Sequence, residues 1–282
     1  RLALRLLAEV VALPGLVTPD VPLFNATVSA CERGRHWEGA IDLIAQMRRL
    51  SLRPNVVTCS AALSAHREGH RWRRALGLLG EMRDAGPAPN IVTFNAAISV
   101  CERAARWEQT LELLEGLERQ CLRPDLFSYN TAISACARGV RWSTALELWA
   151  VVQKGSLRPD VVTQNALISA CEKGMRWQLA LHLLAAMERD ALRPDIVTYS
   201  AALSACEKGW RWAEAVRIHL DVRRYGLRLD TTFYGAAISA SEKGRQWERA
   251  LQLHSELCLS ACRPDLVAYN GALSACEQGL RW

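Results

Sequence analysis

The chain has 282 residues, half of them hydrophobic and 23% charged, with 35 Lys and Arg against 29 Asp and Glu for a formal net charge of +6. That balance excludes an intrinsically disordered chain, which lacks the apolar surface to offset the entropy of ordering. Charged residues also interrupt every apolar run short of the ~18 residues that a membrane-spanning helix requires, so the reading is a soluble chain with no membrane partner. The basic excess suits an anionic partner without demanding one.

In chain order, residues 1–20 read as the second helix of a truncated repeat, with Ala3 to Val10 corresponding to Ala40 to Met47. From there the chain is periodic. Trp37, Trp72, Trp107, Trp142, Trp177, Trp212, Trp247 and Trp282 follow one another at 35-residue intervals without an insertion. A second column, Asp20, Asn55, Asn90, Asp125, Asp160, Asp195, Asp230 and Asp265, keeps that interval, and Pro precedes every member but Asp230. Cutting after it gives seven full repeats, 21–55, 56–90, 91–125, 126–160, 161–195, 196–230 and 231–265, then a truncated one at 266–282. Because Arg1 and Trp282 both fall inside repeats, the chain is read as a fragment of a longer array, and any targeting segment would precede Arg1.

The repeat 161–195 shows the elements. Ala166, Leu167, Ala170 and Cys171 carry the three-and-four spacing of a helix over 162–173. Gly174 ends it, in a column that is Gly in seven of eight repeats and Ala104 in the other, as expected if the helix closes through a left-handed residue. A second helix over 176–189 presents Trp177, Ala180, Leu181, Leu184 and Met187 on one face. Leu192-Arg193-Pro194-Asp195 then turns the chain, with Asp195 placed to cap the next helix. Neither helix pair can bury its apolar face alone, so the expected fold is all-α, a right-handed α-solenoid of helix-turn-helix repeats. A buried Trp removes about 150–250 Å² from water, on the order of 4–6 kcal/mol, and the Trp column is expected to hold the stack together.

Six of the ten cysteines, Cys31, Cys101, Cys136, Cys171, Cys206 and Cys276, share one register. Equivalent helices in a stack lie about 8–10 Å apart, too far for a disulfide, so these are read as small buried hydrophobes in a reducing compartment. His66 with His70, and Cys258 with Cys262, lack further ligands at metal-site spacing. With no nucleophile–base set or phosphate loop either, the chain is read as a non-enzyme without metal or cofactor.

Packing does not explain two polar columns. The fifth residue of each repeat is Asn25, Ser60, Asn95, Asn130, Asn165, Ser200, Gly235 or Asn270, and Asn and Ser are mediocre helix formers. They can serve local hydrogen bonding near the helix start or recognise a base. The Asp/Asn column can cap helices, take part in recognition, or do both. A uniform core beside two varying polar columns favours recognition over the alternative, a protein-binding scaffold.

The run Val-Val-Thr-Gln-Asn-Ala-Leu-Ile-Ser-Ala-Cys-Glu-Lys-Gly from Val161, Ala180-Leu181 in the second helix, and Leu192-Arg193-Pro194-Asp195 resemble the pentatricopeptide repeat family in its uniform 35-residue (P-type) form. The resemblance covers essentially the whole chain; only the Trp opening each second helix departs from the usual family sequence. It implies single-stranded RNA binding, one base per repeat, with the fifth and last residues of a repeat at one base edge and the first repeat towards the 5′ end. Asn25 with Asn55 then suggests C or U, and Ser60 with Asn90 suggests A. Asn95 with Asp125, Asn130 with Asp160 and Asn165 with Asp195 each suggest U, and Ser200 with Asp230 suggests G. Gly235 with Asp265 is unread, and Asn270 suggests a pyrimidine. The implied core is 5′-C/U-A-U-U-U-G-N-C/U. The resemblance also puts the second residue of each repeat, here Val57, Val92, Phe127, Val162, Val197 and Val267, against the bases, although valines there could equally belong to the core. Arg33, Arg103, Arg138, Lys173, Lys208 and Lys243 form a basic column placed for phosphates. The family further implies organellar RNA processing, stability, editing or translation in a mitochondrion or plastid, alongside protein partners in RNA processing.

Overall fold

The structure, a computed structural model, describes Ala3, Leu7 and residues 19–34, 36–69, 71–155, 157–260 and 262–279. The helix expected in 1–20, His70 and Trp282 lie outside these residues, apart from Ala3, Leu7, Pro19 and Asp20. Among the described residues the regular structure is entirely helical, and no helix is long and apolar enough to cross a membrane. The chain divides into two compact units, Arg1–Ala135 and Cys136–Trp282.

Each repeat is a pair of helices. In the second unit the first helices are Val161–Lys173, Ile196–Lys208, Thr231–Lys243 and Leu266–Gln278, and the second helices are Trp142–Lys154, Trp177–Arg189, Trp212–Arg224 and Trp247–Leu259. In the first unit Val21–Arg33 pairs with Trp37–Arg49, Val56–Ala65 with Trp72–Ala85, and Ile91–Arg103 with Trp107–Arg119; Leu126–Arg138 runs across the boundary. Within each unit a first helix packs on its own second helix and on the first helix of the next repeat. Small residues permit that approach: Ala202, Ala205 and Cys206 are buried on one such helix, as Ala170 and Cys171 are on its neighbour. The second helix contributes the bulk. Ala180, Leu183, Leu184 and Met187 are buried, whereas Leu181, expected on that face, is only half-buried.

The cysteine register is an interior row. Cys31, Cys101, Cys136, Cys171 and Cys206 are buried free thiols, and Cys276 is half-buried. Burial pushes Cys101 and Cys206 up to about 12, and Cys136 and Cys171 to about 11, with neighbouring charges adjusting Cys101, Cys136 and Cys206. Thiols so raised are poor nucleophiles. His66 occupies the same register in the second repeat, buried, with Nδ1 2.7 Å from the Ala62 carbonyl. There the α-helix stops at Ala65 and a 3-10 turn, His66–Gly69, takes its place, so the larger ring coincides with a tightened helix end.

Two expectations are corrected. The glycines that close the first helices are not left-handed: φ is −79° at Gly174 and −83° at Gly209. The left-handed residue is the next one, Met175, Trp210 or Arg245, with φ between 55° and 58°. Arg176 N–H then bonds to Cys171 C=O and Arg211 N–H to Cys206 C=O, the six-to-one bond of a Schellman turn. At Gly174 and Gly209 the glycine is required for space, whereas Ala104 fills the equivalent place in the third repeat. A Cβ on Gly174 would stand 2.5 Å from Trp142 Cδ1, and one on Gly209 2.5 Å from Trp177 Cδ1; Gly244 and Gly279 meet Trp212 and Trp247 in the same way.

The Trp column is therefore not a core column. Trp37, Trp72, Trp107, Trp142, Trp177 and Trp247 are half-buried and Trp212 is 38% exposed, so the full-burial energy does not apply. Each of several indoles lies beneath an Arg of the following repeat, Arg71 3.7 Å above Trp37, Arg176 4.5 Å above Trp142 and Arg211 4.5 Å above Trp177. An Arg over the ring and a Gly packed against Cδ1, both from the following repeat, make Trp142 and Trp177 inter-repeat contacts.

Candidate nucleic-acid interface

On an α-helix, the second, ninth and thirteenth residues of a first helix lie within about 20° of one line, and the fifth about 60° to the side. The repeat thus presents its second, fifth, ninth and thirteenth side chains on a common face. The second-position residues Val57, Val92, Phe127, Val162, Val197 and Val267 are between 53% and 60% exposed. They are not core residues but an apolar row left in solvent at a fixed interval.

The last residue of each repeat caps the following helix. Asp20, Asn55, Asn90, Asp125, Asp160, Asp195, Asp230 and Asp265 each accept the backbone N–H three residues on, at 2.8–3.0 Å. At five of these caps the residue three on is Thr58, Thr93, Ser128, Thr163 or Thr198, whose hydroxyl accepts the N–H of the capping residue in return.

Asn95 and Asn165, at the fifth position, join these caps through both ends of the amide. Asn95 Nδ2 donates to Asp125 Oδ1 and Oδ2 at 3.3 Å, and Asn165 Nδ2 donates to Asp195 Oδ1 and Oδ2 at 3.2 and 3.4 Å. The opposite ends accept hydroxyls: Ser128 Oγ donates to Asn95 Oδ1 at 2.6 Å and Thr198 Oγ1 to Asn165 Oδ1 at 2.5 Å. In the first repeat Thr58 Oγ1 donates to Asn25 Oδ1. Asp195 shows the electrostatic result. Burial alone would raise its carboxyl, but the Thr198 amide and hydroxyl, the Asn165 amide and the Val197 amide together hold it below the ordinary carboxylate range. It is an ionised acceptor at neutral pH.

The serine positions differ from these. Ser60 Oγ turns back to the Val57 carbonyl at 3.1 Å, and Ser200 Oγ is buried without a hydrogen-bond partner. Gly235 is buried and Asn270 exposed, while Asn130 is half-buried. Thr232 and Pro22, at the second position, are exposed.

The thirteenth-position column is not an open row of cations. Lys208 Nζ lies 2.8 Å from Glu172 Oε1 and Lys243 Nζ 2.9 Å from Glu207 Oε1, because stacking sets a thirteenth residue beside the twelfth residue of the preceding repeat. Arg33, Arg103, Arg138 and Lys173 are exposed. The Glu column, including Glu102, Glu172, Glu207 and Glu242, was not singled out in the sequence, nor was a complete ninth-position serine column. They interact: Ser134 Oγ donates to Glu102 Oε1 at 2.8 Å and Ser274 Oγ to Glu242 Oε1 at 2.6 Å. The third-position hydroxyls were also missed, although all three columns show the 35-residue interval.

Fold and site together define an α-solenoid of 35-residue helix pairs, in which polar side chains near the N-termini of successive first helices form a repeated hydrogen-bonded set. Family profiles narrow the class. The profile described as pentatricopeptide repeat domain matches residues 42–103 and 112–174, the PPR repeat family profile 159–208 and the PPR repeat profile 197–227. The chain belongs to the pentatricopeptide repeat family. No curated protein sequence matches it. Among solved structures, the crystal structure of the pentatricopeptide repeat protein PPR10 from maize aligns over 96% of the chain at 24% identity with a TM-score of 0.71, and the chain spans 39% of that protein's length. The PPR domain of Arabidopsis thaliana protein-only RNase P 1, in complex with tRNA, aligns over 64% of this chain and 95% of its own at 11% identity and a TM-score of 0.57. Nuclear proteinaceous RNase P 2 from A. thaliana aligns over 66% of this chain and 41% of its own at 10% identity and a TM-score of 0.57. These likenesses show the fold.

Proposed function

We propose that the chain binds single-stranded RNA, one base to each repeat, and acts as a recognition array rather than an enzyme. The observation that carries this is the recurrence of one polar set, Asn95 with Asp125 and Asn165 with Asp195, at the helix starts beside exposed Val92 and Val162. An apolar side chain offers a face for a base, and the polar pair offers an edge. With Oδ1 engaged by a hydroxyl and one Nδ2 hydrogen on the carboxylate, Asn165 keeps one N–H to offer outward. That donor beside an ionised acceptor complements the carbonyls and N3–H of uracil. Asn25 with Asn55 has no carboxylate and suits cytosine as well. The tRNA complex of a protein sharing this fold supports RNA as the ligand class.

On this reading the recognised core is 5′-C/U-A-U-U-U-G-N-C/U, and Arg33, Arg103, Arg138, Lys173, Lys208 and Lys243 supply phosphate contacts, with paired members of the column such as Lys208 and Lys243 exchanging Glu172 and Glu207 for phosphate on binding. Such contacts add salt-dependent affinity without sequence information. Family membership supports a role in RNA processing, stability, editing or translation in a mitochondrion or plastid. The test is equilibrium binding of the purified chain to RNA carrying the core and to scrambled RNA. Ser60→Asn should move the preference at the second base from A to a pyrimidine, by roughly 1–3 kcal/mol if RNA readout costs per mismatch what base readout costs elsewhere. No binding at low salt would transfer the assignment to a peptide-binding scaffold.

A further inference from the structure

The third residue of a repeat completes the polar set of the repeat before it. Ser128 and Thr198 do so where an Asn–Asp pair is present, and Thr58 where the pair is Asn25 with Asn55. Each hydroxyl takes the capping residue's N–H on its lone pair, which leaves one proton for two oxygens. The nearer oxygen belongs to the fifth-position Asn: 2.5 Å to Asn165 Oδ1 against 2.8 Å to Asp195 Oδ1, and 2.6 Å to Asn95 Oδ1 against 2.8 Å to Asp125 Oδ1.

An Asn amide can turn over by 180° at little cost in shape, exchanging donor for acceptor towards whatever faces it. The Asp carboxylate that accepts from Nδ2 opposes the turn at Asn95 and Asn165, and a neighbouring hydroxyl that donates to Oδ1 restrains it from the other end of the amide. We propose that the third-position hydroxyl of the following repeat is a positioning residue for base recognition, fixing the polarity of the fifth-position Asn so that it presents N–H and selects a pyrimidine. This rests on the RNA reading above. The sequence agrees with the role. Hydroxyls follow Asn25, Asn95, Asn130 and Asn165 in this register, whereas Phe233 and Ala268 follow Ser200 and Gly235, where there is no amide to orient. Thr93 after Ser60 shows that the hydroxyl also serves the capping box alone.

The experiment uses the whole chain and four RNAs that carry the core with U, C, A or G at the fifth base, the one assigned to Asn165. Thr198→Val keeps the β-branched shape and the Thr198 backbone N–H to Asp195 but removes the hydroxyl. Its pyrimidine-over-purine preference at the fifth base should fall about five- to tenfold, the fold-change of one hydrogen bond, with preferences at the other bases unmoved. Thr198→Ser should restore it. Ser128→Ala provides the same comparison at the third base. A Thr198→Val chain that loses affinity equally for all four RNAs and keeps its fifth-base preference would overturn the inference while leaving RNA recognition intact. A wild-type chain with no fifth-base preference overturns both.

Discussion

If each repeat reads one base as proposed, replacing Gly235 with Asn should give the array a base preference at the full repeat whose fifth residue has no side chain. Gly235 lies inside the helix Thr231–Lys243, and a Cβ built on it meets only Val267 Cγ1, at 3.8 Å, an ordinary van der Waals contact. A Cβ at this position therefore meets no steric penalty. Helix propensity favours it slightly, since Gly costs up to ~1 kcal/mol relative to Ala in a helix interior and Asn somewhat less. Asp265 already caps the following helix through Ala268 N–H at 2.9 Å, as Asp195 does through Thr198 N–H at 2.8 Å. The new Asn would stand to Asp265 as Asn165 stands to Asp195 and favour U, by roughly 1–3 kcal/mol over a mismatch. The assay is equilibrium binding to four RNAs differing at the seventh base: wild type should bind them alike, and Gly235→Asn should prefer U about tenfold. Adding Ala268→Thr should sharpen that preference by supplying the missing hydroxyl. A folded Gly235→Asn chain that still reads its neighbouring bases but binds all four RNAs alike would refute the one-base-per-repeat assignment at this position.

Two further outcomes follow from the packing and the caps. Gly209→Ala drives a Cβ into the Trp177 ring and should cost about 1–3 kcal/mol by overpacking, seen as a lower denaturant midpoint; an unchanged midpoint would show that Gly is not there for Trp. Asp195→Asn keeps a neutral capping side chain and should shift the fifth base from U towards C in the binding assay. Because the folded carboxyl is held below the unfolded value near ~3.9, Asp195 stabilises the fold above that pH and ceases to do so as pH falls through its folded value. The stability difference between wild type and Asp195→Asn in acid titrations should therefore shrink below about pH 4.

The sequence determined the period, the helical class and the polar columns, because a 35-residue interval without insertions repeats every local signal several times. The expected helix over 162–173 is Val161–Lys173, and that over 176–189 is Trp177–Arg189. Capping by the Asp/Asn column was legible for the same reason: it depends on a residue and the backbone three positions on. Tertiary structure decided what each column touches. Whether the second-position valines faced the core or solvent could not be read from their spacing, and stacking of the first helices left them exposed. Gly174 and Gly209 carry the ordinary sequence mark of a left-handed cap, but an indole from the preceding repeat fills the space above them and the left-handed angle falls on Met175 and Trp210. Lys208 and Lys243 read as free cations until stacking brought Glu172 and Glu207 against them. The contact of Thr198 with Asn165 likewise spans 33 residues. A one-dimensional pattern shows which side chains recur, whereas the packing of one repeat on the next fixes which recurring side chains meet.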